Sequence, residues 1–176
     1  MQVGFPWHSR PVCSLKIEIS TDEVLALVPA RRLMLHAYEE DLSVELRCYP
    51  IEEIAAEKLR TPAQVQVRLD QGKWPRNCAR DYYDLWRLFT LPESQFDRRV
   101  VASILSKKCE ARGVCISKVQ DVFPRFIVAE AERQWSSSLA DLVTPLPAFA
   151  EVMSQLRDLV RAFIGVLAEH RKSETE

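Results

Sequence analysis

The sequence predicts an α+β protein in which strands come first and helices follow. Up to Cys48 the apolar residues recur at every second position, and from Pro50 onward they recur at helical spacing. This segregation, without a βαβ alternation, is typical of α+β proteins. The chain of 176 residues has only four glycines, which argues against a turn-dense all-β fold and against a glycine-rich phosphate loop.

Three segments, at residues 12–20, 31–37 and 42–48, are predicted to be strands. In the first and the third, apolar residues alternate with polar ones, so that one face of each strand is apolar, as in a half-buried strand. The apolar residues on these two faces are Leu15, Ile17, Ile19, Leu42, Val44, Leu46 and Cys48.

Five helices are predicted after the strands. The first begins at Pro50, because proline and the acids that follow it suit a helix N-terminus, and it ends before Pro62. Gly113 ends the third helix, and Pro124 breaks the fourth. The predicted ranges are 50–60, 78–91, 97–112, 117–135 and 147–170.

Charged residues fall on the apolar faces of the first two helices. Because successive residues turn by about 100° around a helix, Lys58 falls at about 340° relative to Ile51, in the middle of the apolar face. Asp81 lies in the middle of the apolar stripe of the second helix in the same way, and Asp84 is on its flank.

An unpaired buried charge costs several kcal/mol, so each of these side chains needs a partner. We therefore predict that Lys58 and Asp81 lie within salt-bridge or single-water distance of each other and line one cleft. Two interpretations of this pair stay open at the level of pattern. It is a structural ion pair that joins two helices, or it is the wall of a catalytic cleft.

Composition and charge exclude several classes of protein. The formal net charge is -1, with 24 basic and 25 acidic residues, so the chain as a whole has no electrostatic attraction to nucleic acid. Basic pairs such as Lys107 and Lys108 are most simply interpreted as solvated. The five cysteines, without any C-x-x-C, indicate reduced thiols in a cytoplasmic protein. No signal peptide or membrane span is expected.

Three motifs, in this order, resemble the AbiEii/AbiGii family of nucleotidyltransferase toxins, the toxin half of type IV toxin–antitoxin pairs. They are KIEIS at residues 16–20, IAAEKL at 54–59 and RDYYDL at 80–85. The segment WSSSLADLV at 135–143 and the last helix are also similar to the family. The resemblance implies a partial nucleotidyltransferase-like sheet within a first domain, residues 1–91, and a helical C-terminal domain, residues 92–176.

Such enzymes are thought to move a nucleotide from an NTP to an acceptor such as RNA, with Mg²⁺. The resemblance implies that Lys58 and Asp81 are catalytic, and that Glu18 is a metal ligand. It gives nucleotide-binding roles to Glu57, Arg80 and Asp84. A lysine at this position neutralises phosphate charge or, if its pKa is lowered, acts as a base. For Glu18, a solvated acid on the polar face of a strand is an equal alternative.

The sequence departs from the family in one motif. Members open with G-G or G-S followed by an acid-x-acid pair, which supplies the main metal ligands, and no such motif occurs here. We therefore expect a truncated member, a site completed by another polypeptide, or a protein that has lost catalysis. The function implied is that of a toxin in abortive infection and phage defence, inactive by itself and paired with a cognate antitoxin. The alternative is a non-catalytic module that binds nucleotide, RNA or antitoxin.

Overall fold

The computed structural model describes residues 2–3, 13–14, 23–34 and 43–173. Within these residues four short strands precede seven helices, which confirms the predicted α+β class. The strands are β1 (Gln2–Val3), β2 (Cys13–Ser14), β3 (Ala30–Leu33) and β4 (Glu45–Cys48). The helices are α1 (Ile51–Asp70), α2 (Ala79–Phe89), α3 (Arg98–Glu110), α4 (Val119–Val122), α5 (Arg125–Arg133), α6 (Trp135–Leu139) and α7 (Phe149–Ser173).

The strands form two antiparallel pairs. β1 pairs with β2, and β3 pairs with β4 so that Ala30 lies opposite Cys48. The prediction that one face of the last strand is buried is wrong in part, because Val44 and Leu46 are 43% and 46% exposed. No residue of β3 or β4 belongs to the buried core of the described chain, so packing does not enforce the alternation that the sequence shows. Of the strand predicted at residues 12–20, Cys13–Ser14 is described and forms β2, and the rest lies outside the described residues.

The helix ends follow the sequence signals, with one exception. Asp97 caps α3 by accepting hydrogen bonds from the backbone N–H groups of Arg99 and Val100. Gly113 follows α3 with φ of +62°, a conformation that glycine adopts without steric cost. The predicted break at Pro124 is confirmed, since α4 ends at Val122 and α5 begins after the proline.

The exception is α1, whose predicted end at residue 60 is wrong. The helix continues through Pro62 to Asp70. Proline has no N–H to donate, so the carbonyl four residues earlier, at Lys58, loses its helical hydrogen bond. Pro62 is buried together with Ala63 and Val65, and α1 packs against α2 and α3. Burial of this face outweighs the local cost, and the extension adds nearly three turns to the helix.

The core forms where α7 packs on α2 and α3. The apolar stripe predicted for the last helix is confirmed, and Phe163 meets Phe89 edge-on at 5.4 Å between ring centroids. Buried residues from both sides of residue 91 belong to one cluster. The domain boundary at residues 91 and 92 stays a prediction. Within the described part of the chain, no helix is long and apolar enough to cross a membrane.

Candidate functional site

The two charged helix faces meet, as predicted. Lys58 on α1 donates from Nζ to Oδ1 of Asp81 on α2 at 3.2 Å, and Nζ lies 2.5 Å from Oδ2 of Asp84. The Asp81 side chain is 4% exposed and that of Lys58 is 21% exposed, whereas that of Asp84 is 44% exposed. The predicted pairing is therefore confirmed, and one of the two carboxylates is much closer to solvent than the other.

A second cation, which the sequence analysis missed, holds the buried carboxylate. Nη2 of Arg76 donates to both oxygens of Asp81, at 2.9 and 2.7 Å. Arg76 lies in the segment between α1 and α2, two residues before Cys78, and no periodicity marks it. Asp81 is thus fixed between Lys58 and Arg76, and this group, together with Asp84, is called the ion cluster.

The ion cluster keeps Lys58 protonated. Burial opposes the ammonium charge, but the hydrogen bond to Asp84 and the negative charge of Asp81 outweigh that effect, so the pKa of Lys58 lies above its ordinary value of 10.5. A role as a general base requires a lowered lysine pKa, which is the opposite of this shift. The arrangement favours the other role considered for this lysine, a fixed positive charge.

A polar cleft of about 330 Å³ adjoins the ion cluster. Glu57, one residue before Lys58, lines this cleft, and so does Arg76. Arg76 also contacts Asp81, so the cleft and the ion cluster share this residue. Lys58 and Asp81 themselves do not line this cleft, so the prediction that they line one cleft is not confirmed by it. The other lining residues are Glu23, Arg60, Thr61, Gln64, Val65, Arg68 and Arg112, and together they form what we call the arginine cleft.

Of the other residues singled out by the resemblance, Arg80 is not brought to this place. Arg80 is exposed and donates from Nε to the backbone carbonyl of Ser138, in α6, at 3.0 Å. It follows from helix geometry that a residue adjacent to Asp81 points about 100° away from it. Glu18 lies outside the described residues.

A buried charge network lies on the other side of α1. Lys108 of α3 is 1% exposed at its side chain, and its Nζ is 2.9 Å from Glu53 and 2.9 Å from Glu23. Nζ also donates to the carbonyl of Val24 at 2.8 Å. The interpretation of Lys108 as a solvated basic residue is therefore wrong, whereas its neighbour Lys107 is exposed. Helix packing separates the two lysines, because adjacent residues face different directions.

Glu53 ties the segment before β3 to the helices. Its Oε1 accepts hydrogen bonds from the backbone N–H groups of Ala26 and Leu27, both at 2.6 Å. Glu23, in the same segment, accepts from Arg60 of α1 at 3.0 Å and lies 3.4 Å from Arg112. We call Glu23, Glu53, Arg60, Lys108 and Arg112 the buried network. It sets the position of Glu23 at the edge of the arginine cleft.

One sequence signal pointed to this network. Glu53 and Arg60 are seven residues apart and so lie on the same side of α1, about 20° from each other. Ala56 and Ala63 lie on that side as well, and small residues at this spacing indicate a close helix contact. The partners on α3 and in residues 23–27 are distant in sequence, so no local pattern identifies them.

The charge state of Glu23 links the network to pH. Burial opposes its ionisation, but the hydrogen bond from Lys108 and the positive charges of Arg60 and Lys108 outweigh that effect, so the pKa of Glu23 lies below its ordinary 4.5. A carboxylate with a lowered folded-state pKa stabilises the fold above its unfolded pKa, and the contribution is lost as pH falls through the folded value.

We predict that Glu23→Gln weakens the dependence of the unfolding free energy on pH in the acidic range. The unfolding free energy of the parent chain falls as pH drops below about 4.5, and the variant, already less stable at pH 7, loses less over the same range. Urea denaturation at pH values from 7 to 3 measures both curves. Glu110→Gln, at an exposed position of α3, is the control and keeps the parent's pH dependence. Parallel curves for Glu23→Gln and the parent would contradict the assignment.

The described residues do not by themselves fit Mg²⁺. Among them, no group of three or more histidine, cysteine or acidic side chains is arranged to hold a metal ion. Asp81 and Asp84 do lie together, but Lys58 and Arg76 already neutralise them at hydrogen-bond distance. Magnesium prefers several oxygen ligands without a competing cation among them.

Comparisons with known proteins give one match. A family model described as nucleotidyl transferase AbiEii toxin, type IV TA system, matches residues 2–162 of the chain. Searches of curated proteins and of solved structures find no match. The matched range contains the ion cluster, the arginine cleft and the buried network in full.

Proposed function

Because the chain belongs to the family of AbiEii nucleotidyl transferase toxins of type IV toxin–antitoxin systems, we propose that it carries one part of a nucleotidyl-transfer site. The transfer takes a nucleotide from an NTP to an acceptor such as RNA, in a toxin that acts in phage defence and is held in check by an antitoxin. The observation that supports this proposal most is the ion cluster, in which two family motifs meet at Lys58, Asp81 and Asp84.

In this proposal the role of Lys58 is electrostatic, as a fixed positive charge. Nucleotidyl transfer joins an acceptor oxygen to the α-phosphorus of the NTP and releases pyrophosphate, and most of the catalysis comes from positioning and charge neutralisation. A lysine with a raised pKa stays protonated at neutral pH and offsets negative charge on the phosphate oxygens. Asp81 and Arg76 hold its surroundings in place before a substrate arrives.

Asp84 gives way to the substrate in this scheme. Its carboxylate is half exposed, so it can turn to water when a phosphate oxygen takes its place on Lys58. Asp81 has no such freedom, because it is buried and bound by Arg76. The two carboxylates therefore have different roles, one fixed and one exchangeable. The metal ion that the family implies needs further carboxylates, since these two are neutralised by the protein's own cations.

We predict that this chain by itself does not label RNA. In an assay with radioactive NTP, Mg²⁺ and RNA, the expected incorporation is at background, because the family's G-G or G-S motif, followed by the acid-x-acid pair that supplies the main metal ligands, is not in the sequence. A fusion that places the G-S and acid-x-acid segment of an active family member before Lys16 is expected to label RNA. Robust labelling by the chain alone, abolished by Lys58→Ala, would contradict the need for that segment.

The second candidate function is a non-catalytic module that binds nucleotide, RNA or the cognate antitoxin. The neutralisation of Asp81 and Asp84 favours it, because carboxylates held this way need not serve a metal. The same fusion separates the two functions. A fusion that is folded and binds NTP but transfers nothing would support the binding module.

A further inference from the structure

The arginine cleft carries positive charge on a concave surface. Four arginines line it against two glutamates, which leaves a net charge of +2 on the lining. The arginines come from three places: α1, the segment before α2, and the turn after α3. Cations that converge from separate elements on one small volume are typical of a site for a compact anion. They are Arg60, Arg68, Arg76 and Arg112.

The floor of the cleft is preorganised. The Arg60 side chain is 4% exposed, Nη1 donates to Gln64 Oε1 at 2.5 Å, and Nη2 donates to Glu23 at 3.0 Å. A guanidinium fixed in this way presents its charge without the entropy loss that an exposed arginine pays on binding. Its Nε is buried and has no hydrogen-bond partner in the described part of the chain, so one donor of Arg60 is left unsatisfied.

Two arginines at the rim of the cleft have hydrogen-bond donors that no described residue engages. Arg68 is exposed two turns of α1 beyond Arg60, and no ion-pair partner for it is found in the described part of the chain. Arg76 donates to Asp81 through Nη2 only, which leaves its Nε and Nη1 without an acceptor in the described part of the chain. Both arginines are therefore able to donate to an anion that enters the cleft.

From these contacts we infer that the arginine cleft binds the triphosphate group of the NTP. The inference rests on the proposed function, because it gives the substrate of that reaction a place. Arg76 lines the cleft and also forms an ion pair with Asp81. An anion bound in the cleft therefore lies beside the ion cluster that contains Lys58. An open cleft of about 330 Å³ suits a compact polyphosphate better than an extended RNA backbone.

Inorganic triphosphate is the direct probe, because it contains no nucleoside and undergoes no transfer. Isothermal titration calorimetry of the full chain is expected to show binding that weakens as salt increases. Arg68→Gln and Arg76→Gln are each expected to weaken it about tenfold, since each removes charge-assisted hydrogen bonds. Arg87→Gln, on an exposed part of α2, is the matched control and leaves binding unchanged. Thermal melts confirm that the variants are folded.

Two results would overturn the inference. One is triphosphate binding that is absent at millimolar concentration or insensitive to both cleft variants. The other is an RNA oligonucleotide that binds through the same arginines and is not displaced by triphosphate or NTP. Arginine-dependent triphosphate binding in a chain whose fusion transfers nothing would defeat the proposed transfer and leave the cleft assignment standing. Transfer by the fusion with unchanged KM for NTP in Arg68→Gln and Arg76→Gln would do the reverse.

Discussion

Replacement of Lys108 by methionine is expected to destabilise the protein by roughly 3 kcal/mol, the low end of the cost of breaking a buried ion pair. Methionine has a similar length but no charge, so Glu53, which is 2% exposed, loses its only described cationic partner. Glu23 keeps Arg60 and Arg112, which limits the loss. Urea unfolding at pH 7 measures the change.

Lys107→Met is the matched control for this prediction. Lys107 precedes Lys108 on the same helix and is exposed, so its replacement is expected to change stability by less than about 0.5 kcal/mol. The double variant Glu53→Gln with Lys108→Met should lose less than the sum of the single variants, because both remove one interaction. Equal stabilities of the Lys107 and Lys108 variants would refute the buried network.

The second large effect concerns catalysis. In the fusion that carries the acid-x-acid segment, Lys58→Ala is expected to reduce RNA labelling by about 100-fold or more, the usual loss when a preorganised electrostatic group is removed. The fold should survive, because Asp81 keeps its two hydrogen bonds from Arg76. Thermal unfolding of the variant checks this point.

Two further variants test whether the loss of labelling is specific to the charge of Lys58. Lys73→Ala removes a lysine from the exposed segment after α1 and should leave labelling unchanged. Lys58→Arg keeps the positive charge, so partial activity is expected if charge is what the residue supplies. Labelling by Lys58→Ala within twofold of the parent would rule out a catalytic role and leave Lys58 as a structural ion pair.

The location of the ion cluster could be predicted because it rests on local periodicity. A charged residue in the middle of an apolar helical stripe is visible in the sequence, and Lys58 and Asp81 each stand in such a stripe. Two buried charges of opposite sign on neighbouring helices have one low-energy arrangement, which is to face each other. Arg76 escaped prediction because it lies in an irregular segment, where no repeat indicates the direction of a side chain.

The arginine cleft depends on the full length of α1, whose end the sequence signals place too early. Pro62 is a strong local signal to stop, and obeying it removes Gln64, Val65 and Arg68 from α1. Burial of Pro62 and its neighbours against other helices overrides that signal. The cost of one lost hydrogen bond is local, whereas the gain from packing depends on elements far away in the chain.

By itself, the sequence determined the order of strands and helices, the end of α3 at Gly113, the apolar stripe of α7 and the meeting of Lys58 with Asp81. All of these follow from period, turn chemistry and the cost of burying a lone charge. Only the tertiary structure decided that α1 runs past Pro62, that Lys108 is buried while Lys107 is solvated, and that arginines from three elements share one cleft. The physical reason is that burial and ion pairing join residues such as Glu23 and Lys108, 85 positions apart, and no local pattern encodes such a distance.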